Sequence, residues 1–153
     1  MIKANLTHDF INICDSDIVI DKEVYTEVVD NGKSNNYPDA FTAEKFLIDN
    51  KIPIIPTDIQ QFIKMFRDPG ETSCFELAKI EGICITSDKR AFNKFVNQKV
   101  AVIRLDTFFY QNCLKKKYSK TATIGILENL LNVYATTPER YATFIKLITQ
   151  SGE

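Results

Sequence analysis

Two acidic residues lie where predicted secondary-structure elements begin or end. Glu71 falls in the first turn of a predicted helix that Pro69 and Gly70 introduce, where the helix dipole favours a negative charge. Asp88 follows the apolar run of residues 83–86, which is typical of a short buried strand. In an open parallel sheet, ligands bind beyond the carboxyl ends of the strands. The sequence therefore places Asp88 where ligands and chemistry are expected.

The elements that position these acids alternate between strand and helix. Predicted strands cover residues 2–6, 18–20, 52–55, 83–86 and 100–103, and predicted helices follow each of them. A further helix is predicted over residues 57–66, where Thr57 and Gln60 fit a capping box, and another begins at Thr137-Pro138. This alternation predicts an α/β fold, a three-layer sandwich with a central, mainly parallel sheet flanked by helices. With 153 residues, the chain is expected to form a single domain over residues 1–153.

Charge is distributed unevenly although the net charge is only −1. Most acids lie in residues 1–76 and most bases in residues 77–153. The densest basic run, Lys115, Lys116 and Lys117, is interleaved with Tyr118 and could contact a phosphate backbone. A solvated helix end, with lysines favoured by the dipole, explains the same run.

Cysteine usage and the N-terminus indicate the compartment. The four cysteines form no Cys-x-x-Cys pair and have no nearby histidine, so they are expected to be free, mostly buried thiols. Such thiols suit a reducing compartment. Acidic residues interrupt any apolar run near the N-terminus, so no signal peptide is expected and we expect a cytoplasmic protein that is not in a membrane.

Three segments resemble the PIN-domain ribonucleases, the nuclease fold of many toxins in toxin and antitoxin pairs. The segments are Val24-Tyr-Thr-Glu27-Val-Val, Gly70-Glu71-Thr-Ser-Cys-Phe-Glu-Leu-Ala and Ile85-Thr-Ser-Asp88-Lys-Arg-Ala. The likeness spans roughly residues 6–135. It implies that Glu27, Glu71 and Asp88 converge as ligands of Mg²⁺ or Mn²⁺, hard ions that prefer oxygen. It also implies RNA as substrate, an antitoxin-type protein partner and a homodimer.

The first acid of that family departs from the usual pattern. The family begins with a strand that ends in an aspartate, and Asp9 is the nearest candidate here. A competing alignment puts Thr7 at the place of the acid, which would remove one metal ligand.

Further candidate residues flank the same predicted sheet edge. Asp106 follows the strand of residues 100–103 as Asp88 follows its own, so it is a candidate metal ligand or, alternatively, a helix cap. Lys89 and Arg90 directly follow Asp88 and join the lysines of residues 115–117 as candidate RNA contacts.

Each acid also has a simpler structural explanation. Glu27 could be a solvated helix residue, Glu71 a partner of the helix dipole and Asp88 an N-cap, while Asp9 could be an ordinary surface or capping residue.

Two functions remain open from the sequence. The first is a metal-dependent endoribonuclease with catalytic acids at positions 9, 27, 71 and 88. The second is a catalytically silent PIN-like module that binds RNA or a protein. The chain has a single histidine, no Gly-x-Ser-x-Gly elbow and no Gly-rich phosphate loop, which argues against a histidine-based hydrolase and a nucleotide-binding module.

Overall fold

The chain folds as a mixed α/β protein in which two small parallel sheets are flanked by helices. The structure is a computed structural model that describes residues 1–80 and 82–150. Its helices are α1 (Thr7–Ile13), α2 (Lys22–Tyr25), a π-helical turn (Thr26–Asn31), α3 (Gly32–Ser34), α4 (Pro38–Asp49), α5 (Ile63–Phe66), α6 (Pro69–Ile80), α7 (Lys89–Asn97), α8 (Leu105–Leu114), α9 (Lys120–Asn132) and α10 (Pro138–Gln150). Its strands are β1 (Ile20–Asp21), β2 (Ile54–Ile55), β3 (Cys84–Thr86) and β4 (Val102–Arg104).

The strands pair in parallel, as the alternation of elements predicted. β1 pairs with β2, and Ile20 lies opposite Ile54. β3 pairs with β4, and Thr86 lies opposite Arg104. Within the described ranges these are two separate two-stranded sheets. Each strand is followed along the chain by a helix or a longer connection, which parallel pairing requires.

The predicted strand over residues 2–6 is wrong. These residues form turns, with Asn5 in the left-handed region at φ 54°, and helix α1 begins at Thr7. Phe10 and Ile13 bury one side of this helix, and Leu6 is buried just before it. The apolar residues at 6, 10 and 13 follow the helical period and not the strand period.

The predicted helix over residues 57–66 is also mostly absent. α5 covers only its last four residues and ends at Arg67, which has φ 63°. Thr57 does not cap a helix because its hydroxyl donates a hydrogen bond to the carboxylate of Asp21. A contact across 36 residues therefore replaces the local capping box.

An Asn-Gly pair such as Asn31-Gly32 commonly ends a helix, but here the helix continues to Ser34 through the π-helical turn. Gly32 adopts a helical φ of −60° and is buried against α4. A Cβ atom on Gly32 would lie only 2.7 Å from the Cβ of Ala40. This glycine therefore serves close packing of two helices and not termination of one.

The hydrophobic core consists of three clusters. The largest joins α1, α8, α9 and α10 around Phe109, Leu127 and Leu130. A second surrounds Val29, and the third is a phenylalanine cluster of Phe66, Phe75 and Phe95. In this phenylalanine cluster the ring centroids are 4.9–5.6 Å apart. Because these rings come from α5, α6 and α7, they hold together the two helices whose starts carry predicted acids.

No helix among residues 1–80 and 82–150 is long and apolar enough to cross a membrane.

Candidate functional site

An open pocket near the phenylalanine cluster brings together acids from two parts of the chain. It is lined by residues of α2, the π-helical turn, α6, β3 and α7, and has a volume of about 240 Å³. That is room for several water molecules. Three carboxylates line it: Glu27, Asp68 and Glu71. We call it the acidic pocket.

Gly70 creates the space between two of these carboxylates. A Cβ atom on Gly70 would lie 3.0 Å from Oε2 of Glu27 and 3.4 Å from Oδ1 of Asp68. Glu27 comes from the π-helical turn and Asp68 from the residue before α6. The two carboxylate oxygens therefore face one small volume that only a glycine leaves empty.

Asp68 was not among the predicted site residues. Its Oδ1 accepts a hydrogen bond of 2.7 Å from the backbone N–H of Glu71, and its carbonyl accepts one of 2.6 Å from the Thr72 hydroxyl. It thus holds the first turn of α6 in place. The signal was present in the sequence, because an acid directly before Pro69-Gly70 is a good helix start.

Glu71 lines the acidic pocket, and it is paired with a lysine. Its Oε2 accepts a hydrogen bond of 2.8 Å from Nζ of Lys94 on α7. Lys94 also donates to the carbonyl of Phe66 at 3.3 Å and lies over the Phe66 ring. This ion pair offsets one of the negative charges of the pocket and links α6 to α7.

Asp88 lies at the rim of the acidic pocket. Its Oδ1 accepts a hydrogen bond of 2.8 Å from the N–H of Ala91, so it is the N-cap of α7. Its own N–H donates to the Thr86 hydroxyl at 3.1 Å. Thr86 and Ala91 both line the pocket, whereas Asp88 is exposed beside it.

A second acid that sequence reasoning missed is Asp21, the last residue of β1. It is only 1% exposed, and its carboxylate accepts hydrogen bonds from the N–H of Glu23, at 2.6 Å, and from the Thr57 hydroxyl. The available signal was the apolar run Ile18-Val-Ile20 before it, which predicts a strand that would end at this acid. It is a cap as well.

Two thiols connect Asp21 with the acidic pocket. A hydrogen bond with Cys84 lowers the pKa of the Cys74 thiol. Burial opposes this effect, and so does the negative charge of three acids: Asp21, Asp68 and Glu27. Cys74 lines the pocket, so the charge of Asp21 acts on a thiol of the pocket wall. The hydrogen bond with Cys74 and burial together raise the pKa of Cys84.

Asp9 is not brought to the acidic pocket. It lies in the first turn of α1, and its Oδ1 accepts a hydrogen bond of 2.7 Å from the Tyr118 hydroxyl. Burial and the hydrogen bond with Asp9 raise the pKa of Tyr118 to about 12. Asp9 is not among the lining residues of the pocket, and it does not end a strand.

Asp106 is a buried partner of arginine. It is fully buried, and Arg140 donates to both of its oxygens at 2.7 Å. The hydroxyl of Thr136 and the N–H of Thr107 each donate at 2.6 Å. Burial alone would raise the pKa of Asp106, but the bonds from Arg140 and Thr136 outweigh it and lower the pKa. With its oxygens engaged in this way, Asp106 is placed to hold α10 against α8.

The candidate RNA contacts lie in two places. Lys89 and Arg90 are exposed in the first turn of α7, directly after Asp88 at the rim of the pocket. Lys115 and Lys116 are exposed at the end of α8. Lys117 instead pairs with Asp15 and donates to the carbonyl of Ile13 at 3.0 Å. It therefore ties the basic run to the end of α1.

Two further observations define the limits of this site. Among the described residues, no group of three or more His, Cys, Asp or Glu side chains is arranged to hold a metal ion as it stands. No protein-family model, curated protein or solved structure matches the chain. The resemblance to PIN domains thus rests on the three sequence segments and on the placement of their acids.

Proposed function

We propose that this chain is a metal-dependent endoribonuclease of the PIN type, with its active site in the acidic pocket. The observation that carries the proposal is the meeting of Glu27 with Asp68 across Gly70, in a pocket that Glu71 also lines. Glu27 is separated from the other two by more than 40 residues, so their meeting is a product of the fold. Asp88 at the rim is the fourth acid.

The residues of the pocket fit Mg²⁺ or Mn²⁺. Hard divalent ions bind carboxylate oxygens, and Mg²⁺ needs ligands at about 2.1 Å with room for several waters. The space that Gly70 leaves between Glu27 and Asp68 is of this kind. When bound, such an ion would supply Lewis acidity to activate water and to stabilise charge on the phosphodiester. Glu27, Asp68 and Asp88 would hold it.

Asp21 takes the place that the sequence assigned to Asp9. The resemblance implies an acid at the end of the first strand, and β1 ends at Asp21. Its carboxylate is held by Thr57 and by the Glu23 N–H, next to the wall of the pocket. Asp21 is thus a better candidate than Asp9 for the acid at the end of the first strand. It would act from behind Cys74.

The three-layer sandwich is part of the same proposal. Helix α6 packs against both β1 and β3. The two parallel pairs would accordingly be the halves of one central sheet, with α6 covering the junction. In that arrangement the ends of β1 and β3, and hence Asp21 and Asp88, lie on one edge.

RNA is the proposed substrate because exposed basic side chains adjoin the acidic ones. Lys89 and Arg90 follow Asp88 and are placed to bind phosphates near the pocket. The toxin role, an antitoxin-type partner, a homodimer and a cytoplasmic location belong to this proposal through the resemblance alone.

A specific observation favours the second function, a silent module that binds RNA or protein. Asp9 is bound to Tyr118, and Glu71 is neutralised by Lys94, so two of the predicted ligands have other partners. In a silent module these contacts would be permanent and the pocket would bind no divalent ion.

The test compares Mn²⁺ binding and RNA cleavage for the wild type, Asp88→Asn and a control, Asp39→Asn. Asparagine also caps helices, so Asp88→Asn keeps the start of α7 but loses the charge that a hard cation needs. Asp39 lies in the first turn of α4 and away from the pocket lining. We expect cleavage only with Mg²⁺ or Mn²⁺, abolished by Asp88→Asn and retained in the control. Cleavage that persists in chelator would refute the mechanism, and absence of both binding and cleavage would favour the silent module.

A further inference from the structure

Arg104 is a nearly buried cation at the carboxyl end of a strand. It is the last residue of β4 and is 8% exposed. Its partner in the parallel ladder is Thr86, the last residue of β3. Residues paired in register project to the same face of a sheet, so the two side chains lie side by side.

The charge of Arg104 is not balanced by its neighbours. Its Nε is buried and has no hydrogen-bond partner. The nearest carboxylate is that of Asp106, at 3.7 Å from Nε, which is too long for a hydrogen bond. Both oxygens of Asp106 already accept bonds of 2.7 Å from Arg140. Two guanidinium groups therefore share one carboxylate, and a positive charge is left over.

An unpartnered buried charge is costly, and native proteins rarely keep one without a use. Replacing Arg104 by an apolar residue would remove this cost, as it often does for buried ions. The cost disappears equally if an anion binds. The side chain of Arg104 keeps 9% of its surface exposed although Nε is enclosed, so this exposure belongs to its other atoms. The proposed anion would reach the guanidinium group through this opening.

We infer that Arg104 and the hydroxyl of Thr86 form a binding site for a phosphate oxyanion at the carboxyl edge of β3 and β4. The planar guanidinium matches two phosphate oxygens at once. The Thr86 oxygen accepts a hydrogen bond from the N–H of Asp88, which leaves its own O–H to donate to the anion. Thr86 also lines the acidic pocket, so the phosphate site adjoins it.

The phosphate could belong to a free phosphate or to a phosphodiester of RNA. The anion site stands on the geometry of Arg104 alone, while its assignment to RNA rests on the proposed nuclease function. If the ligand is RNA, the site would hold the phosphate next to the scissile one and set the register of the RNA strand.

The first arm of the test measures binding of inorganic phosphate by calorimetry, in chelator, with chloride at equal ionic strength as the reference anion. The variants are Arg104→Met, Arg104→Lys and Thr86→Val, and the control is Lys146→Met, which removes an exposed cation of α10 that is not a candidate RNA contact. We expect Arg104→Met to weaken phosphate binding at least tenfold. Arg104→Lys keeps the charge but loses the paired geometry of the guanidinium. Its phosphate affinity should therefore lie between those of the wild type and Arg104→Met. The control should bind as the wild type does.

The second arm measures affinity for a short single-stranded RNA by fluorescence anisotropy, also in chelator, across a series of salt concentrations. Loss of one phosphate contact should reduce the salt slope by roughly 0.7 in Arg104→Met. If phosphate binding depends on Arg104 but the RNA slope does not change, the site takes a free phosphate and the link to RNA is wrong. Equal phosphate binding by the wild type and Arg104→Met, or no phosphate binding by the wild type, would overturn the site itself. If Arg104→Met does not fold, the comparison of phosphate binding between the wild type and Thr86→Val takes its place.

Discussion

Replacing Gly70 with alanine should weaken Mn²⁺ binding at the acidic pocket without lowering the stability of the fold. The new methyl group would lie 3.0 Å from Oε2 of Glu27 and 3.4 Å from both Oδ1 of Asp68 and Cγ2 of Val24. The closest of these atoms is the end of a flexible side chain that can rotate away. The methyl group would nevertheless fill the space in which an ion bound by both carboxylates would sit.

The magnitudes follow from these distances. Alanine is favoured over glycine inside a helix by about 1 kcal/mol. Gly70 is the second residue of α6, so this is an upper limit on the gain, and displacement of the Glu27 carboxylate offsets part of it. We expect the free energy of unfolding to rise by between zero and about 1 kcal/mol. Mn²⁺ affinity should fall at least about tenfold, the usual effect of disturbing the surroundings of a metal site.

The assay pairs urea denaturation with Mn²⁺ titration, and Gly125→Ala is the matched control. Gly125 lies inside α9, and a Cβ atom there would meet nothing within 4 Å. The Gly125→Ala variant should show the gain in helix propensity without any change in Mn²⁺ affinity. If Gly70→Ala binds Mn²⁺ as tightly as Gly125→Ala does, the volume between Glu27 and Asp68 is not a metal site.

Three other substitutions test individual contacts. Lys94→Met frees Glu71 and should raise Mn²⁺ affinity by up to about fivefold, the equivalent of an exposed ion pair; weaker binding in calorimetry would mean that the lysine supports the site. Asp106→Asn should cost about 3 kcal/mol in urea denaturation at pH 7, the low end for a buried pair, because its arginine partner is 35% exposed. Since folding lowers the pKa of Asp106, its contribution is present in full above the ordinary aspartate pKa and is lost as the pH falls through the lowered pKa of the folded state, so the difference between wild type and variant should shrink as the solution becomes more acidic; a constant difference would contradict this. Tyr118→Phe removes the donor to Asp9 and should cost about 1 kcal/mol while leaving Mn²⁺ affinity unchanged; weaker Mn²⁺ binding would return Asp9 to the site.

Local signals in the sequence predicted much of the architecture and part of the site. The apolar runs before Asp88 and before Asp106 predicted two strands, and these pair in parallel as β3 and β4. Asp88 was expected as a possible N-cap and is one. Glu27 and Glu71 were grouped through the resemblance, and both line the acidic pocket. The two apolar runs and the N-cap are local patterns that a sequence displays directly, whereas Glu27 and Glu71 lie far apart in the chain and were grouped only through the resemblance.

Features set by distant contacts could not be predicted in the same way. The pairing of Asp106 with Arg140 spans 34 residues, and the bond from Thr57 to Asp21 spans 36. Asp9 was chosen as the first acid because the strand before it was expected at residues 2–6. The apolar residues there fit a helix that packs on the large core cluster, and the first strand forms later in the chain. Whether the apolar residues near the N-terminus belong to a strand or to a helix depends on packing that the sequence does not show.

Capping and metal binding are compatible roles for the acids of this site. Asp68 and Asp88 each use Oδ1 to accept a backbone N–H at a helix start. Oδ1 of Asp68 faces the space beside Gly70 while it accepts the Glu71 N–H, so its second lone pair would meet an ion there. Asp88 caps α7 through Oδ1 and would use Oδ2. The helix starts of α6 and α7 therefore orient these acids before any ion binds, which is the preorganisation that the proposed metal-dependent nuclease would require.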